Sequence, residues 1–190
     1  MSESSFYTRN ELEKIGFASL GQDVLLSRKS SIYGAEKMEI GNHVRIDDFC
    51  FLMGKIKLGD YIHIAPYSNL VAGDAGIQMC DYSGVSSRVS IYAVSDDYSG
   101  AAMTNPTVPE EYTNVVKKPV LLEKHAIIGA SSVVLPGVII REGSSCGAMS
   151  LLNKSTEAWS INVGIPAKKI GNRKNDLLVF EERLKKNNKE

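Results

Sequence analysis

An interval of six residues constrains this chain more than any other feature of its sequence. Ile40, Ile46, Leu52, Leu58, Ile64 and Leu70 are apolar at strict six-residue steps, and Met79, Val85 and Ile91 resume the step after a short interruption. Neither the helical period of 3.6 nor the strand period of two generates that spacing. The segments also superpose in blocks of eighteen. Ile56-Lys57-Leu58-Gly59-Asp60-Tyr61-Ile62-His63-Ile64 lies over Met38-Glu39-Ile40-Gly41-Asn42-His43-Val44-Arg45-Ile46 and over Ile77-Gln78-Met79-Cys80-Asp81-Tyr82-Ser83-Gly84-Val85. Three sixes per unit describe a coil with three short faces, each sending one residue inward, which is a parallel β-helix pattern.

Extended along the chain, the pattern gives six coils. Leu20, Leu26 and Ile32 open it; Leu122, Ile128, Val134, Ile140, Cys146 and Leu152 close it. All eighteen inward positions are apolar in a chain that is 43% hydrophobic. Two extra residues after Ile32, three after Leu70 and a long excursion after Ile91 all leave from the equivalent corner, and insertions stacked on one edge of a solenoid mark its working face. The excursion, residues 92–119, holds internal prolines and a glycine that deny it a long helix. Tyr98, Met103, Val108 and Tyr112 give it apolar surface to bury, so an ordered functional loop is expected.

The ends read differently. Thr8-Arg9-Asn10-Glu11 has capping-box spacing ahead of Leu12, Ile15 and Phe17, which places a short amphipathic helix within 1–17. Leu177, Phe180 (or Glu181) and Leu184 fall at helical spacing within 171–190, a helix expected to cap the last coil or to pack on a neighbouring subunit. Residues 18–170 are left for the β-helix, all within one domain of 190 residues. The 22 basic and 22 acidic residues balance, against a nucleic-acid binder. No apolar run is long enough to insert in a membrane, and the N-terminus lacks a basic-then-apolar leader, which points to the cytoplasm. Cys50, Cys80 and Cys146 suggest neither a disulfide framework nor a metal site.

Six-residue repeats, one long loop among the coils and Val163-Gly164-Ile165-Pro166-Ala167-Lys168 after the last coil together resemble the left-handed β-helix, hexapeptide-repeat acyltransferases, over roughly residues 16–172. The resemblance implies an all-β, left-handed parallel β-helix of about six coils with one long excursion loop, a short N-terminal helix and a C-terminal helix. It also implies a homotrimer with active sites between subunits, acetyl-CoA or another acyl-CoA as co-substrate, and no metal. The Phe6-Tyr7 to Phe17 opening, Ile46-Asp47-Asp48-Phe49-Cys50 and Asp96-Asp97-Tyr98-Ser99-Gly100 look most like the N-acyltransferases of nucleotide-linked 4-amino-4,6-dideoxy sugars, enzymes of bacterial surface polysaccharide, lipopolysaccharide and capsule biosynthesis.

Acyl transfer from a thioester needs a nucleophile freed of its proton and a donor for the developing oxyanion. In the related galactoside and xenobiotic O-acetyltransferases a loop histidine is the base, five residues past the last inward residue before the loop. Counted from Ile91, that position is Asp96, and no histidine lies between Ile64 and Lys124. An ordinary carboxylate is a poor base for a hydroxyl, whereas an amine near the α-amino reference of about 7.7–8.0 is partly free base at neutral pH. An amino-sugar acceptor is therefore expected, with Asp96 or Asp97 holding the amine and the CoA sulfur as final proton acceptor.

Arg88, Tyr92 and Tyr98 flank the loop as candidates for sugar or phosphate contact, and Asp74 on the lower insertion is a further acceptor-site candidate. His43, His63 and His125 occupy outward positions, and His63 alone is kept as an alternative base. Gly129-Ala130 and Gly147-Ala148 offer small residues against which pantetheine could lie. Lys154, Lys168, Lys169 and Arg173 supply positive charge where the family places CoA phosphates. O-acetylation of a sugar or glycan hydroxyl is the runner-up, and a non-catalytic β-helix scaffold is the alternative from another class.

Overall fold

The computed structural model, which describes residues 5–187, winds the repeat into a parallel β-solenoid. Inward residues of successive coils pair with one another. On the first face Leu20 pairs with Ile40, and Leu58, Met79, Leu122 and Ile140 follow in line. The second face runs Leu26, Ile46, Ile64, Val85, Ile128, Cys146. The third runs Ile32, Leu52, Leu70, Ile91, Val134, Leu152. This is the register that the six-residue spacing predicts, across the excursion as well.

Ile64, Leu70, Met79, Ile91 and Ile140 have no exposed surface. Full burial of each such side chain contributes about 1.5–3 kcal/mol, so the stack of them is the core. Leu20 and Ile32, in the first coil, are only partly buried because no coil lies beneath them.

The coil count is a correction. Cys146 pairs onward with Asn162, which begins a partial seventh turn. Asn162 is buried, and its amide donates to Ser144 Oγ at 3.0 Å and Ser160 Oγ at 2.8 Å. An inward position filled by a satisfied polar side chain is invisible to a search for apolar residues.

The insertion corner also differs from a set of loops. Phe51–Leu58 and Asn69–Met79 pass through it as continuous strands, which fuses the first and third faces into one ten-stranded sheet while the second face stands in a sheet of its own. At another corner, carboxylate and amide side chains tie coil to coil. Asp60 Oδ1 accepts the backbone N–H of Asn42 at 2.7 Å, and Asp81 Oδ1 accepts that of Asp60 at 2.9 Å. Beside them His43, Tyr61, Tyr82 and His125 form a stacked column with centroids 4.5, 5.0 and 5.1 Å apart. Gly143 is the vacant rung of that column. The Trp159 ring fills its place, so close that a Cβ on Gly143 would lie 2.4 Å from the ring.

Helix α1 occupies Arg9–Ile15, shorter than 1–17, whose first four positions lie outside the described residues. The Glu11 carboxylate accepts the Thr8 N–H at 2.8 Å and hydroxyl at 2.7 Å, and Gly16 in the left-handed region ends the helix. After the last coil, Ser160–Gly164 and Ala167–Asn172 form an antiparallel hairpin, which carries strand structure to Asn172. Helix α2, Leu177–Asn187, does not cap the last coil. It lies along the side of the fifth coil, where Glu181 meets Lys124 and His125.

Candidate active site

The excursion is ordered by its own short pairings. Val94–Ser95 pairs antiparallel with Val116–Lys117, Met103 bridges to Thr113, and a 3-10 turn spans Glu110–Tyr112. Held this way, the loop stands over the outer side of the third face and encloses a cleft of about 860 Å³. Val71, Tyr92, Val133 and Leu135 come from the coils, while Val94, Asp96, Tyr98 and Val115 come from the loop. The cleft is therefore an apolar recess with a carboxylate in its wall, a common form for a small-molecule site.

Asp96 and Asp97 are separated by their bonding. Asp97 Oδ1 accepts the Ser99 N–H at 2.7 Å, and the Ser99 and Asn114 contacts hold its carboxyl below the usual range. It is occupied in fixing the turn. Among the described residues nothing hydrogen-bonds to the Asp96 carboxylate, which is half-buried and lines the cleft.

Other candidates are placed elsewhere. Asp74 forms an ion pair with Lys37 at 2.9 Å on the exposed corner, and that contact lowers its carboxyl. Arg88 lies over the Tyr67 ring at 5.8 Å, on the corner between the second and third faces. Gly129 and Gly147 are packing positions. A Cβ on Gly129 would meet Ala148 N at 2.4 Å, and one on Gly147 would meet Val163 at 2.7 Å. Ala130 is half-buried and Ala148 exposed beside them.

Lys154 and Lys168 are exposed, and Lys169 pairs with Glu157 at 2.7 Å. Arg173 donates to the carbonyls of His125 at 2.8 Å and Gly143 at 3.0 Å, and burial draws its guanidinium below its ordinary value. Much of its donor capacity is thus spent on backbone, leaving Lys154 and Lys168 as the freer cations of that group.

His63 stands on the second face, in a groove of about 370 Å³ shared with Ser86, Ser87, Tyr82, His125 and Arg173. Its Nε2 meets Asp47 Oδ2 at 2.7 Å, and Asp47 Oδ1 accepts Arg45 Nε at 2.7 Å. Asp47 was missed as a candidate although it stands sixteen positions before His63, one coil back and one step past the inward Ile46. His125, whose outward position predicts an exposed or subunit-facing ring, is instead buried beneath α2 of its own chain, where Glu181 accepts its ring N–H at 2.6 Å. Burial pushes the Cys146 thiol up to about 12 and the Cys50 thiol to about 11, and it raises Cys80 as well, which lowers the thiolate fraction of each. Among the described residues no cluster of potential metal ligands forms, and no helix is long and apolar enough to cross a membrane.

No family profile matches the chain. A dTDP-4-amino-4,6-dideoxy-D-glucose acyltransferase from Escherichia coli is 48% identical over 178 residues, 92% of each chain. This chain belongs to that acyltransferase family. The crystal structure of AntD, an N-acyltransferase from Bacillus cereus, in complex with dTDP and 3-hydroxybutyryl-CoA superposes on the acyltransferase with a TM-score of 0.96. The identity is 48%, and the match covers 98% of this chain and 100% of that one. A hexapeptide-repeat containing acetyltransferase from Vibrio cholerae shares the fold alone, at a TM-score of 0.56 and 17% identity over 88% of this chain and 80% of that one.

Proposed function

We propose that the chain transfers the acyl group of an acyl-CoA, acetyl or longer, to the amino group of a nucleotide-linked 4-amino-4,6-dideoxy sugar used in bacterial surface polysaccharide. The observation that carries this reading is the unbonded Asp96 carboxylate in the loop cleft, where the related O-acetyltransferases place a histidine. Asp96 aligns the acceptor amine and stabilises the positive charge that grows on nitrogen as it attacks the thioester carbonyl. The N–C bond forms, the C–S bond breaks, and the amine proton ends on the CoA sulfur. Cys50 and Cys146 lie buried in the core, out of reach of a thioester, which speaks for direct transfer over an acyl-enzyme on either of them.

AntD supports the placement. It has been solved with substitutions at one serine and at one aspartate that lie ten positions apart in its chain. Ser86 and Asp96, or Ser87 and Asp97, have the same separation here. The serines line the second-face groove and Asp96 lines the third-face cleft. The two half-sites open on different faces of one column, and a second copy packed against that edge would bring its own half-site to the first, which supports a homotrimer with active sites between subunits.

The test is thiol release from acetyl-CoA and 3-hydroxybutyryl-CoA by purified protein, offered dTDP-linked 4-amino and 3-amino sugars beside simple galactosides. Turnover confined to the amino sugars is expected. Turnover confined to hydroxyl acceptors would overturn the amine reading in favour of O-acetylation, and silence with every donor and acceptor would favour the scaffold.

A further inference from the structure

We propose that Asp47 is a positioning residue that fixes the His63 imidazole as the group carrying the acceptor's proton during acyl transfer. The inference rests on the N-acylation reading above and adds to it a route for the proton between nitrogen and sulfur.

The geometry comes from the coil repeat. Arg45 and His63 hold the same outward position on successive coils of the second face, because Arg45 pairs with His63 in register. Asp47 follows the inward Ile46, and its side chain turns back to bond both neighbours, to Arg45 Nε at 2.7 Å and to His63 Nε2 at 2.7 Å. Asp47 is 8% exposed, whereas the His63 side chain is 54% exposed. A buried acceptor under a half-open imidazole is the arrangement that sets a tautomer while leaving the ring accessible.

The charge state agrees. Burial pushes the Asp47 carboxyl up, but hydrogen bonds from His63 and Arg45 outweigh it and hold it below the ordinary range. As a carboxylate it can only accept, so His63 donates from Nε2 and the lone pair of the neutral ring is on Nδ1. Among the described residues nothing hydrogen-bonds to that Nδ1. The exposed ring lines the groove that also contains Ser86 and Ser87, which stand ten residues before Asp96 and Asp97, the separation found between the substituted AntD residues.

The step balances without a further reactant. As the amine nitrogen bonds to the acyl carbon, its proton passes to His63 Nδ1. The thiolate released when the C–S bond breaks then takes that proton back as CoA thiol, and the ring returns neutral. Asp47 keeps its charge throughout and stabilises the imidazolium while it exists. Asp96 orients the amine and His63 moves its proton, which gives an amine-selective enzyme a proton acceptor outside the loop.

The experiment compares His63→Gln, Asp47→Asn and Asp47→Glu in the full chain, with His43→Gln as an exposed control. Each is measured by steady-state thiol release with acyl-CoA and a dTDP-4-amino sugar, and by nitrogen NMR of the histidine rings. Expected are a drop in kcat of about 100-fold for His63→Gln and about tenfold for Asp47→Asn, with KM within about twofold. Asp47→Glu should restore part of the loss, and His43→Gln should leave turnover unchanged. The His63 resonances should report one tautomer in the parent and a mixture in Asp47→Asn. Undiminished kcat in His63→Gln, or a loss in Asp47→Asn that falls on KM or on the melting temperature alone, would overturn the proposal while leaving N-acylation in place. Absence of turnover in the parent chain would overturn both.

Discussion

Replacing Glu181 by glutamine removes a charge while nearly preserving shape, and the consequence can be worked from its surroundings. The Glu181 side chain is 4% exposed and receives His125 Nε2 at 2.6 Å, Lys185 Nζ at 2.5 Å and Lys124 Nζ. Burial alone would push its carboxyl up; the three donors outweigh it and hold the carboxyl at about 2, against an ordinary 4.5. That difference converts to about 3 kcal/mol in favour of the folded, charged form. Lys124 and Lys185 are a third to a half exposed, and screening by solvent trims the figure to about 2 kcal/mol. Because the folded value is the lower one, the contribution is complete above pH 4.5 and fades as pH falls toward 2. Amide exchange across α2 is the assay. At pH 7 Glu181→Gln should exchange about 30-fold faster there than the parent, with the coils unchanged, and the two proteins should converge as pH approaches 2. Equal protection of α2 at pH 7 would refute the argument and place the helix's anchorage in Leu177 and Leu184 instead.

Asp96→Ala should cut turnover at least tenfold with the melting profile intact, and unchanged turnover would remove Asp96 from the mechanism; Asp97→Ala should act through loop order and raise KM more than it lowers kcat. Gly143→Ala places a methyl against the Trp159 ring at a left-handed backbone position, and should cost about 2–4 kcal/mol, seen as a lower midpoint in denaturant melts. Ile64→Asp puts a carboxylate at a fully buried inward position and should abolish soluble folding; a normal melt would contradict the register of the second face.

The coils could be read in advance because each inward position repeats the same demand for an apolar side chain, so the register of Ile40, Leu58 and Met79 is written locally. The repeat stops being visible at Asn162, whose amide is satisfied by the hydroxyls of Ser144 one turn back and of Ser160 on its own strand. Burial of His125 depends on Glu181, fifty-six residues further on, and nothing local announces it. Arg173 looked like a phosphate ligand because the carbonyls that take its protons belong to two separate coils. The loop's Asp96 was found by counting from Ile91, yet only folding separates it from Asp97, whose bond to Ser99 makes one a turn residue and frees the other. Asp47 needed the eighteen-residue alignment to be carried to outward positions as well, where Arg45 and His63 already occupied equivalent sites.

Neither end of the solenoid is finished by the repeat itself. At one end α1 folds over the first coil, with Leu12 buried and the Arg9 guanidinium reaching the carbonyls of Leu20 and Gly21. At the other, Ala167–Asn172 doubles back antiparallel on Ser160–Gly164, an orientation that the next coil could not copy. A stack of identical parallel rungs has no intrinsic length, and an open rung at either end would invite another molecule to continue it. These two stops punctuate the column. They make it finite and keep a sequence that could otherwise polymerise as a fibre confined to about seven turns, whose working surfaces are its sides.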